Sequence, residues 1–161
     1  MLYGNAANAD QGLDPGPGDR GSPEFRIPAD AGGHTETMRY LIDEGGGSYG
    51  VFMVANHMHR VGSRMRVWIE PANGADVCLL DTPRWDFDWQ LLYTYDLDGG
   101  RAPIVNDGDT LVLQCTYDNT LSHPGTQVAL SEGGLDQPVD VTLGEGTLDE
   151  MCIFGVGVVP L

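Results

Sequence analysis

Turn-forming clusters recur along this chain at short intervals, at 43–48, 71–76, 98–101 and 106–109, and each separates runs of β-branched and aromatic residues. Gly, Pro, Asn and Asp interrupt helices and ladders alike, because they favour backbone angles or local hydrogen bonds that regular elements cannot use. No window sustains an apolar period near 3.6 residues, so any helix is short. Short strands spaced by turns are the pattern of a sandwich or barrel. The expectation is an all-β fold, an antiparallel jelly-roll-like β-sandwich forming a single domain over 1–161.

The predicted strands are 49–59, 64–70, 89–95, 110–117, 139–143 and 151–159. In the second of these, Arg64, Arg66, Trp68 and Glu70 share one side while Met65, Val67 and Ile69 share the other. That alternation marks a half-buried strand. Ahead of the strands, residues 5–31 are rich in Gly, Pro, Asp and Ala and predict a long irregular opening segment. A chain of 161 residues supports one well-buried core.

Acidic side chains outnumber basic ones 24 to 8, for a formal net charge of −16, and all the basic residues are Arg. Such a field repels phosphate backbones and anionic lipid, so no nucleic-acid or membrane-surface role is expected. No apolar run is long enough to span a membrane. Residues 1–10 lack the basic and apolar regions of a secretory signal, as a mature chain or an excised domain would. Cys78, Cys115 and Cys152 form no C-x-x-C pair, which speaks against thioredoxin-like chemistry and a cysteine-rich zinc site and leaves one disulfide between any two of them open.

His57-Met58-His59 closes an apolar run, Val51-Phe52-Met53-Val54-Ala55. In a strand, residues two apart project to the same side, so the two imidazoles form half of a metal site. Val51, Met53 and Ala55 precede them in the same alternation, which places the rings at the mouth of the core. A third donor is offered by Met151, at the start of the last predicted strand among acids and a Cys. Two imidazoles and a thioether suit copper better than zinc or iron, because the soft sulfur favours Cu(I) and imidazole accepts both oxidation states. His34 and His123 fall in Gly- and Pro-containing stretches and are expected to be solvated loop residues. The Asp96-Leu97-Asp98-Gly99 and Asn106-Asp107-Gly108-Asp109 runs lack the full oxygen ladder of a calcium loop and are expected to be turns. In Trp85-Asp86-Phe87-Asp88-Trp89 the three aromatics are expected on one strand face, packed on the core with the acids outward.

The H-x-H after an apolar strand, the Leu113-Gln114-Cys115-Thr116-Tyr117 run and the Asp149-Glu150-Met151-Cys152 run resemble the C-terminal domain of the type II copper, ascorbate-dependent monooxygenases. That family includes peptidylglycine α-hydroxylating monooxygenase and dopamine β-monooxygenase. Order and spacing correspond from about Ile27 to the end, and Met1-Leu2-Tyr3 corresponds to the family domain's opening strand. The resemblance implies a nine-stranded sandwich and one copper ion held by His57, His59 and Met151, with dioxygen and a small-molecule substrate as reactants and ascorbate or another external reductant. It also implies a Cys115–Cys152 disulfide beside Met151 with Cys78 free. Such a bridge goes with an oxidising compartment, that is secretion, the periplasm or the extracellular space. Ala55, Ile153 and Gly155 stand where the peptide-hydroxylating members hold an Arg, an Asn and a Tyr against the substrate carboxylate, so a peptidylglycine substrate is not expected. The family's N-terminal electron-supplying copper domain has no counterpart within 1–161 and would be a partner. The alternative is a stand-alone copper-binding or electron-transfer module without hydroxylase activity. A third possibility is a metal-free sandwich for adhesion or carbohydrate binding.

Overall fold

The computed structural model describes residues 11–21, 23–43, 45–96 and 99–161. The 1–3 correspondence and the 97–98 part of one expected turn therefore lie outside the described residues. Eleven strands are described: β1 (Gln11–Leu13), β2 (Arg26–Ile27), β3 (Gly32–Leu41), β4 (Ser48–His57), β5 (Gly62–Glu70), β6 (Val77–Thr82), β7 (Leu92–Thr94), β8 (Ile104–Asn106), β9 (Thr110–Asp118), β10 (Val141–Thr142) and β11 (Ile153–Pro160). The implied count of nine is thus exceeded, chiefly by two- and three-residue strands.

One sheet runs β1-β3-β9-β5-β6, the other β11-β4-β7 with β8 also on β4, and β10 and β2 make a small ribbon. Each ladder between these strands is antiparallel. The core cluster joins Met38, Met65, Val67, Ile69 and Leu113 of the first sheet to Val51, Val54 and Phe154 of the second. This is the expected all-β sandwich, and β5 buries Met65, Val67 and Ile69 as its alternation predicts. Among its described residues the irregular opening holds only β1 and β2 as regular structure. No helix among the described residues is long and apolar enough to cross a membrane.

Three sequence expectations are corrected. His34 is no solvated loop residue. It lies on β3, 5% exposed, with Nε2 2.8 Å from the buried Glu36 carboxylate. Two polar residues on the inner face hide that strand from a hydrophobic pattern. His123 caps the helix α1 (Pro124–Gly133), its Nδ1 accepting from the Thr126 N–H, and α1 ends at Gly134 with φ of 70°. The Pro at the first helical turn and the left-handed Gly beyond the last are the usual stop signals. Finally, 85–89 is not a strand. Trp85 is buried and its Nε1 donates to the His59 carbonyl, while Phe87–Trp89 forms a 3-10 turn with Trp89 69% exposed.

The Cys115–Cys152 disulfide is formed, with Cα atoms 5.9 Å apart, and Cys78 is free and exposed. It crosses between the sheets, tying β9 to the residue before β11, rather than joining neighbouring strands. At a sequence separation of 37, chain-entropy arguments assign the link roughly 3 kcal/mol. Replacing both cysteines by Ala is expected to lower the urea unfolding free energy by about that amount, and an unchanged midpoint would contradict a stapling role.

Candidate metal centre

β4 ends at His57, and His59 follows in the turn that leads into β5. The two rings lie 5.1 Å apart at an interplanar angle of 81°. The H-x-H pair therefore converges, although His59 is already beyond the strand. The face it occupies is not the expected one. Val51 and Val54 are both fully buried, three residues apart, because the register against β11 shifts between Gly157 and Val158 and inserts an extra residue on β4. Such a bulge reverses the parity of everything downstream. Val54, Asn56 and Met58 thus face the core, while Met53, Ala55 and His57 are half-buried on the other side. His57 sits on the outer face at the sheet's end, not at the mouth of the core.

Each imidazole is held from behind. His57 Nδ1 lies 2.5 Å from Gln90 Oε1, and Gln90 Nε2 donates to the Phe87 carbonyl at 2.9 Å, which sets the orientation of the amide. His59 Nδ1 lies 2.9 Å from the Asp149 carbonyl. Carbonyl oxygens only accept, so each neutral ring carries its proton on Nδ1 and presents the Nε2 lone pair. This is how metal-binding histidines are usually oriented. Two rings at this separation can reach one ion through bonds of about 2 Å.

Glu150 joins the histidine segment to the methionine segment. It is 0% exposed. Oε2 accepts from the His59 N–H at 2.7 Å and the Met151 N–H at 3.0 Å, and Oε1 accepts from Val61 at 2.7 Å and Gly62 at 3.1 Å. Burial pushes its carboxyl up to about 7, against the pull of these four donors toward the charged form. On the ladder Ile153 faces His57, and two residues further along each chain stand Met151 and His59. Met151 precedes β11 rather than opening it. It is buried, 7% exposed, yet outside the core cluster that contains its neighbour Cys152. The Tyr117 hydroxyl donates to the Met151 carbonyl at 2.9 Å.

A depression of about 190 Å³ opens beside His59, bounded by Arg60, Phe87, Glu132, Glu145 and Thr147. Arg60 stacks 4.7 Å over the Phe87 ring and pairs with Glu132, so its charge is already engaged. Among the described residues no group of three or more His, Cys, Asp and Glu side chains could hold a metal ion. A site built on His57 and His59 therefore needs a donor of another kind; the Met151 backbone N–H shares the Glu150 Oε2 acceptor with the His59 N–H. His34 and His123 are committed to Glu36 and to the helix cap. The 106–109 run is the expected turn, with Asp109 accepting from the Asn106 and Ala72 N–H groups. Gln90 and Glu150 were not singled out from the sequence. Gln90 carries no motif, and Glu150 stood only as one letter in the Asp149–Cys152 run.

Glu150→Gln keeps the shape but turns an acceptor into a donor facing backbone N–H groups. Leaving buried donors unpaired costs about 1–3 kcal/mol, and a loss in that range is expected in chemical denaturation. Unchanged stability would show that the carboxylate does not hold the two segments.

The chain matches no protein-family model and no curated protein.

Proposed function

We propose that this chain is the copper-carrying domain of an oxygen-dependent monooxygenase, with His57, His59 and Met151 holding a single copper ion. The observation that carries this reading is the pair of Nδ1 hydrogen bonds to Gln90 and Asp149, which leaves both Nε2 lone pairs free on rings 5.1 Å apart. The donor set is neutral and mixed, two imidazoles and a thioether, which suits an ion cycling between Cu(I) and Cu(II). Copper, when bound, would supply one-electron redox chemistry and activation of dioxygen toward a C–H bond. The residues of the chain bind and orient. Gln90 and Asp149 hold the rings, Glu150 holds His59 and Met151 in register, and the depression beside His59 leaves room for a small substrate.

Ala55, Ile153 and Gly155 offer no charged hydrogen bond to a substrate carboxylate, which argues against a peptidylglycine substrate. Hydroxylation consumes two electrons beyond those of the C–H bond. An ascorbate-type reductant and an N-terminal copper domain of a longer chain are the proposed sources. The disulfide fits a secreted or periplasmic setting. The outer-face position of His57 and the shallowness of the depression favour, as a second reading, a copper-binding or electron-transfer module without hydroxylase activity.

Competition titration with a Cu(I) chelator is expected to give one ion per chain. Met151→Ile should weaken Cu(I) more than Cu(II), and His57→Ala or His59→Ala should abolish stoichiometric uptake. Wild-type protein that takes up no copper would end this reading. Product formation with ascorbate and oxygen separates the enzyme from the module. Gln90→Leu removes the acceptor behind His57 and is expected to lower copper affinity about 10–100-fold; equal affinity would mean that the hydrogen bond does not orient the ring.

A further inference from the structure

We propose a second binding site, for a small neutral lipophilic molecule bearing one carbonyl or hydroxyl group, in the cavity between the two sheets at the end remote from the histidines. The cavity measures about 350 Å³ and draws Tyr40 and Leu79 from one sheet and Tyr49, Val51, Val156 and Val158 from the other. On β4, Val51 stands six residues before His57, a separation of roughly 20 Å along a strand. The two sites are therefore independent.

The inner face is unfinished here. Cross-strand partners point to one side, and Val156 and Val158 pair with Val54 and Val51, which are 1% and 0% exposed. Val156 and Val158 are nevertheless 37% and 40% exposed. They belong to the core by register and to the surface by accessibility, because the sandwich stays open along this part of β11. A volume equal to about twelve waters at about 30 Å³ each, with walls almost wholly apolar, offers water few hydrogen bonds. It falls within the usual size of small-molecule pockets, about 300–1,000 Å³, and is too small for a helix of a partner protein.

The lining chooses among small molecules. Among the described residues no charged side chain borders the cavity, and the chain carries a net charge of −16. A fatty-acid carboxylate would find no cation and a repelling field, so the ligand is neutral. Among the described lining residues, Tyr40 and Tyr49 alone carry polar side-chain atoms, their hydroxyls. A phenol presents an apolar ring and a polar tip, which orients one carbonyl or hydroxyl on an otherwise apolar ligand.

Fluorescence titration of the full chain with N-phenyl-1-naphthylamine, a neutral probe with a single N–H, tests this. Saturable binding of one probe per chain is expected. Val158→Trp, which fills the cavity from a part-exposed position, should weaken binding at least tenfold, and Val156→Phe should act in the same direction. Leu92→Ser, on the exposed outer edge of the other face, should leave binding unchanged, and thermal melts should show the three variants folded. Non-saturable binding, or equal affinity in both filling variants, overturns the proposal. So does loss of binding in Leu92→Ser. Binding that appears only once residues 1–10 are removed would give the cavity to the chain's own amino-terminal segment, and probe release on self-association would give it to a second copy. Either result also overturns it.

Discussion

The Glu150 carboxylate, closed off from solvent, accepts the backbone N–H groups of His59, Val61, Gly62 and Met151. Those donors belong to the turn between β4 and β5 with the first residue of β5, and to the segment that enters β11. Neither can complete its own ladder there, and backbone N–H groups buried without partners are costly. One side chain meets all four. The same carboxylate therefore closes this end of the sandwich and brings the backbones of His59 and Met151 to one oxygen. The disulfide and the Tyr117 hydroxyl hold the methionine segment from the core side, so its position is determined from both directions.

The β4 bulge is the second constraint. Without it, strict alternation from Val51 would carry His57 into the core. With it, Val54, Asn56 and Met58 turn inward and His57 turns out toward Gln90. A side chain on the outer face is reachable by solvent and by other molecules. Trp89, Leu91, Leu92 and Tyr93, all exposed, lie on the segment that carries Gln90 and pairs with β4. At the other end of the sandwich the sheets leave an apolar cavity, and the two ends differ in chemistry as they do in closure.

Much of the fold was legible because it depends on local pattern. The alternation of β5, the turn clusters and the run into His57-Met58-His59 each report on neighbours two to four residues apart, and β5, β9 and most of β4 lie where that pattern puts them. β3 was not legible, since His34 and Glu36 occupy its inner face and no alternation of apolar with polar survives. α1 buries only Thr126, Ala129 and Leu130, too narrow a stripe to announce a helix. The bulge was hidden for a related reason: Phe52 and Met53 are both apolar, so an inserted residue leaves the run looking continuous.

For the candidate site the division is similar. The sequence by itself determined that two imidazoles stand two residues apart at the end of a strand, that a methionine and a cysteine adjoin near the last strand, and that the surface is strongly acidic. Only the tertiary structure decided which face the imidazoles occupy, which of their nitrogens are engaged, and that Glu150, one of 24 acidic residues, is fully buried against the backbone beside them. The physical reason is range. Strand parity and turn chemistry act between adjacent residues, whereas burial and hydrogen bonding of Glu150 depend on backbone donors about 90 positions away, which meet it only when the sheets have closed.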